Sequence, residues 1–171
     1  MTDSQAARLP LIDRISIAIG RATAWLTLGM VLVTFVIVVI RYVFDSGFIW
    51  LQEAVTWMHA TVFMLGAAYT MQRDEHVRVD IFYQEMSARR RAWVDLMGVV
   101  VFVFPLCGFF AYEAYEYVNS SWKLNEVSRN SGGLPYPFVP LLKSLLLLMP
   151  VTVALQGASL FLKSFAVIRS D

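Results

Sequence analysis

The chain has 171 residues, of which 58% are hydrophobic and 16% charged, with a mean hydropathy of +0.59; soluble domains are nearer a quarter charged, so lipid is the expected solvent and one domain the limit. The net charge of +1 says nothing about nucleic acid, since what matters is where the charges sit, and no nucleic-acid partner is expected. The single cysteine, Cys107, lies in an apolar run, which excludes an intramolecular disulfide and a multi-cysteine metal site.

Residues 1–10 are polar, with Pro10 at their end, and are expected to be disordered. In 11–21, Leu11, Ile15 and Ile19 stand in helical register with Arg14 and Arg21. This reads equally as an interfacial lead-in helix or as an early start of the first span. Four runs are long enough to cross a hydrocarbon core of roughly 30 Å as helices: 22–40, 54–72, 92–112 and 144–162. The first is too long for a cleavable signal, and no small-residue cleavage site follows it, so it is expected to stay as an anchor. Tyr42, Phe44, Phe48 and Trp50 crowd the first loop, as aromatic residues do at a membrane interface. The second loop, 73–91, is charged, and within it Ser87 is the N-cap candidate for the third helix, followed by Arg89-Arg90-Arg91. The third helix should run past the membrane through Glu113 and Tyr117, and Pro135, Pro137 and Pro140 should lead into the fourth.

Orientation follows from the cations. With both termini and the second loop on one side, Lys and Arg divide ten against four. That side should be cytoplasmic. The expected fold is therefore an all-α membrane protein with four transmembrane helices, both ends cytoplasmic, in one domain over 1–171.

Chemistry is scarce. Only His59 of the two histidines lies in a span, so facing haem ligands cannot be built. His76 sits among Asp74, Glu75 and Asp80, a cluster that reads as a solvated loop rather than a metal site. No hydrolase, zinc-protease or phosphate-loop pattern occurs. No catalytic residue, cofactor or metal is expected, and the chain does not read as an enzyme. A self-sufficient carrier would place ionisable groups deep in its spans, yet Glu53, Asp95 and Glu113 all fall at helix ends, where Asp95 can pair with Arg91. Pro105 and Pro150 interrupt two spans and read as packing kinks, and His59 reads as bonding a neighbouring helix rather than relaying protons. Small residues collect on the second span (Ala60, Gly66, Ala67, Ala68, Thr70) and the fourth (Ala154, Gly157, Ala158, Ser159). They serve packing within the chain and against a partner equally well.

Trp50-Leu51-Gln52-Glu53, Trp57, Gly66-Ala67-Ala68 and His76-Val77-Arg78-Val79-Asp80 occur in an order that resembles one family. It is the small membrane subunit of tripartite ATP-independent periplasmic (TRAP) transporters, the DctQ-like proteins. Ser121-Trp122, Glu126, Gly132-Gly133-Leu134-Pro135 and Lys143 resemble its branch labelled for mannitol, chloroaromatic or 2-oxoacid substrates. The resemblance implies a bacterial inner-membrane scaffold for importing an organic acid or related solute. Its implied partners are a large membrane subunit of about twelve spans, which carries the substrate and ion sites, and a periplasmic solute-binding protein. On this reading Trp50, Glu53 and Trp57, with Arg41 as a partner for Glu53, pin the second helix to the large subunit or to the membrane interface. His76 and Asp80 shape the second loop, while Trp122 and Lys123 meet the docked binding protein. Two other classes stay open: an autonomous small channel or carrier, and a membrane anchor for an unrelated enzyme.

Overall fold

The computed structural model describes residues 11–73, 83 and 86–170, and every regular element among them is helical. Helix α1 is Leu11–Val43 and α2 is Ile49–Gln72. Helix α3 runs over Ala88–Lys123 and α4 over Phe138–Ser170. Three of them, α1, α3 and α4, are long and apolar enough to cross a membrane by length and composition. Helix α2 matches them in form, but Thr56, His59, Thr61, Tyr69 and Thr70 dilute its apolar character.

The helices overrun the apolar runs at both ends. At 1.5 Å per residue the 33 residues of α1 extend about 50 Å, well beyond a bilayer core. Hydropathy marks only the apolar middle of each rod, while polar residues carry the same backbone ladder onward. For α1 this decides between the two readings of 11–21. No proline or turn breaks the helix between Leu11 and Val43, so there is no separate interfacial helix. Residues 1–10, expected to be disordered, lie outside the described residues.

Helix α3 carries one irregularity. Val99–Val103 form a π-helical turn, closed by the Phe104 N–H bonding back to the Val99 carbonyl. Pro105 follows directly; it has no N–H to offer the preceding turn, and a wider turn relieves its ring. The widened turn has a packing partner. A Cβ on Gly157 of α4 would stand 3.1 Å from Val103 Cγ1 and 3.5 Å from Val99 Cγ1, so glycine lets the two backbones close up. Ser87 occupies the N-cap of α3 in extended conformation without a side-chain capping bond. The other end closes with Asn125 at φ 48°. There the Glu126 N–H bonds the Ser121 carbonyl (3.1 Å) and the Asn125 N–H bonds the Trp122 carbonyl (3.2 Å), a Schellman pair.

Helix α4 is the hub: it packs on α1, α2 and α3, and it is the chief partner of α3. Most buried residues are small or polar. They include Ala68, Ala92, Ala114 and Val118 beside Ser16, Thr61, Gln156 and Ser159. Large apolar side chains face outward instead, as with Trp25 (74% exposed) and Phe102 (72%). This is packing suited to lipid, where helices approach through small residues and bulky ones meet acyl chains. Helix hydroxyls bond back to their own turns, as Thr27 does to the Thr23 carbonyl at 3.0 Å and Thr61 to the Trp57 carbonyl at 2.8 Å.

The α1–α2 contact turns on Gly20. A Cβ there would lie 2.3 Å from the Tyr69 ring, so the ring occupies the space that only glycine leaves. Gly20→Val should cost about 1–3 kcal/mol by overpacking. Thermal unfolding in detergent would show a lowered midpoint, largely recovered in the Gly20→Val/Tyr69→Ala double variant.

Candidate functional site

Two polar centres tie the helices together, one at each end of α4. At the end carrying the α3–α4 loop (124–137), Glu53 projects from the first turn of α2. Its Oε1 accepts hydrogen bonds from Ser128 Oγ (2.5 Å) and Asn130 Nδ2 (2.8 Å), and its Oε2 accepts the Leu134 backbone N–H (2.7 Å). Gly133 sits against this carboxylate; a Cβ would come within 2.7 Å of Oε1 and 2.3 Å of Ser128 Oγ. Gly132 takes φ +76°, a left-handed turn that favours glycine. The Gly132-Gly133-Leu134 string is thus the cradle of the Glu53 carboxylate.

A second carboxylate locks the same loop. Glu126, set by the Schellman turn, accepts from Ser121 Oγ (2.7 Å) and pairs with Lys143 of α4 at 2.5 Å. The Lys143 ammonium lies 3.9 Å from the Tyr117 ring centroid, a cation–π contact. The Lys143 bond, then the Ser121 bond, hold the Glu126 carboxyl below its ordinary value near 4.5. Trp122 completes the closure by donating from Nε1 to Ser144 Oγ (2.9 Å) while meeting Tyr136 edge-on. Between these groups opens a cleft of about 500 Å³, lined among others by Glu53, Trp57, Tyr117, Glu126 and Asn130.

The opposite end holds a cluster that sequence reasoning missed. Asp13 of α1 is fully buried, and its Oδ1 accepts from Gln156 Nε2 (3.0 Å) and Ser159 Oγ (2.7 Å) of α4. Lys163 closes the other oxygen, and Ser16 Oγ donates to Gln156 Oε1 at 2.8 Å. One signal could have found it. Gln156, Ser159 and Lys163 stand at i, i+3 and i+7, a polar stripe on an otherwise apolar helix.

The expected site residues divide. Glu53 and Trp57 turn toward the loop and α4, whereas Trp50 stays half exposed beside Phe48. Arg41 is exposed and makes no ion pair with Glu53 among the described residues; the loop supplies those bonds instead. Trp122 is a tie between α3 and α4, and Lys123 beside it is exposed. His59, expected to bond a neighbouring helix, is exposed and has no hydrogen bond within the described residues, because α2 turns that face away from α1 and α4. His76 and Asp80 lie outside the described residues. Asp95 accepts from Tyr83 Oη at 2.8 Å, and the Arg91 guanidinium lies over the Tyr83 ring.

The family model described as the DctQ component of tripartite ATP-independent periplasmic transporters matches residues 30–166. The chain belongs to this family. A relative, the C4-dicarboxylate TRAP transporter small permease protein DctQ of Vibrio cholerae serotype O1, is 33% identical over 71 residues, covering 42% of this chain. The aligned part spans 31% of that protein's length. No solved structure matches. The DctQ match takes in the whole loop centre, from Glu53 to Lys143, and the α4 half of the other cluster, while Asp13 precedes it.

Two measurements probe these centres. Lys163→Met leaves the Asp13 carboxylate buried without its cation and should cost about 2–3 kcal/mol, somewhat less than a fully buried pair because Lys163 is half exposed. Adding Asp13→Asn should restore most of the lost thermal midpoint. The second concerns pH. Because folding depresses the Glu126 value, its contribution is complete above about 4.5 and fades as pH falls through the depressed value. Hydrogen exchange of 124–137, corrected for intrinsic rates, should show the native chain better protected than Glu126→Gln at neutral pH. The two should converge in acid below 4.5.

Proposed function

We propose that this chain is the small permease subunit of a TRAP transporter in a bacterial inner membrane, importing an organic acid or related solute. In this reading all four helices span the bilayer, α2 included, with both termini cytoplasmic, as the ten-to-four division of Lys and Arg supports. The chain braces a large membrane subunit that carries the transport path, and its 124–137 loop helps to seat a periplasmic solute-binding protein.

One observation carries the proposal: the loop pinned by Glu53. Three hydrogen bonds to one carboxylate, with the Glu126–Lys143 pair beside them, give an extramembrane segment a fixed shape before any partner arrives. A preformed surface avoids an ordering cost on docking. The ionisable groups support a scaffold in a second way. Asp13 and Lys163, and Glu126 and Lys143, are closed on one another, which suits joints rather than stations for a passing solute. The C4-dicarboxylate named for the Vibrio cholerae relative makes that acid class the first to assay.

Co-expression with a large subunit and binding protein of the same transporter tests this reading. The tagged chain should retain the large subunit through purification, and uptake should need all three proteins. Glu53→Ala should lower uptake at limiting binding protein by about tenfold, a loss of about 1.4 kcal/mol, with the large subunit still bound. A chain that purifies alone in every condition, or that moves solute in liposomes unaided, would overturn the proposal.

A further inference from the structure

Helix α2 carries an outward face unlike the others. Gln52, Thr56, His59 and Phe63 follow at i, i+4, i+7 and i+11, and all four are exposed. His59 has no hydrogen bond within the described residues. It stands six residues past Glu53, about 9 Å along the axis, inside the apolar run 54–72 and so within a core of roughly 30 Å for a helix that crosses it. An imidazole carries at least one N–H donor and cannot satisfy it with acyl chains. By contrast, outward side chains in the middle of α3, Phe102, Leu106 and Phe109, are apolar and suit lipid.

Phe63 also belongs to a second feature. With Gly20, Thr23, Ala24, Gly66 and Thr70 it borders a groove of about 510 Å³ between α1 and α2. A Cβ built on Gly66 would meet nothing within 4 Å, so the groove floor stands open. Stripe and groove join end to end along α2. Together they offer a helix-length seat, polar over one half and lined with small residues over the other.

We infer that this seat receives a membrane-spanning helix of the large subunit, one that sets a carboxylate, carboxamide or hydroxyl acceptor opposite His59. The inference rests on the small-subunit reading and specifies which surface makes the joint. The groove lets backbones come close, and the His59 bond fixes the register along the pair. It also accounts for the composition of α2. A helix covered by protein on this face needs less apolar character than α1, α3 and α4.

The test uses the intact complex in membranes. A photo-crosslinking residue at Thr56 or at Phe63 should capture the large subunit, while one at Phe102 or Phe109 should not. His59→Leu should weaken retention of the large subunit by about tenfold, and His59→Gln, which keeps a donor, should recover most of it. Capture of a second copy of this chain from the stripe would overturn the inference. So would an intact complex whose stripe positions capture nothing but lipid, or a His59→Leu chain that holds the large subunit normally. In those cases the small-subunit reading stands and only the seat is lost. A native chain that binds no large subunit would take both down.

Discussion

Apolar helices in a bilayer gain nothing by hiding their surfaces from one another, because acyl chains solvate leucine as well as another leucine does. Association has to come from close backbone approach and from polar groups that lipid cannot satisfy. Helix α4 meets that constraint at both ends. Near its C-terminal end Gln156, Ser159 and Lys163 grip Asp13 of α1. Near its start Lys143 and Ser144 hold Glu126 of the 124–137 loop and Trp122 at the far end of α3. Next to Gln156, Gly157 lets the π-turn of α3 close in. Among the described helices, α4 is the chief packing partner of α3.

The same constraint explains why so little bulk is buried. Large side chains serve best outside, against lipid or a partner, and the interior goes mostly to alanine, valine, serine and threonine, with one amide, Gln156. An unpaired charge in such an interior would be costly, and both carboxylates are fully engaged, whereas the buried Trp57 Nε1 beside Glu53 has no partner among the described residues. Asp13 takes bonds from three α4 side chains. Glu53 likewise takes three from one loop. These bonds convert a connection that could wander into a shaped surface, which is where rigid scaffolds commonly carry their function.

Much of this was legible in the chain. Apolar runs located the helices, prolines marked the irregular turn and the start of α4, and the string from Ser121 to Lys143 pointed to the loop. Element ends were less legible, since hydropathy senses the solvent around a helix and not the backbone ladder within it. Partners were least legible. Arg41 looked available to Glu53, but the chain turns at Asp45, at φ 47°, and Glu53 faces the loop far along the sequence. His59 looked ready for an internal bond, and α2 rotates it outward.

Sequence by itself determined the all-helical membrane class, the order of the helices and the family, because each depends on local composition and on residues close together in the chain. Tertiary structure decided which polar residues meet. Asp13 and Gln156 bond across 143 positions, and Glu53 and Leu134 across 81. No local pattern encodes such pairs. They exist because α4 returns beside α1 and because the loop folds back over α2, and only the packed helices fix the rotation that brings each side chain to its partner.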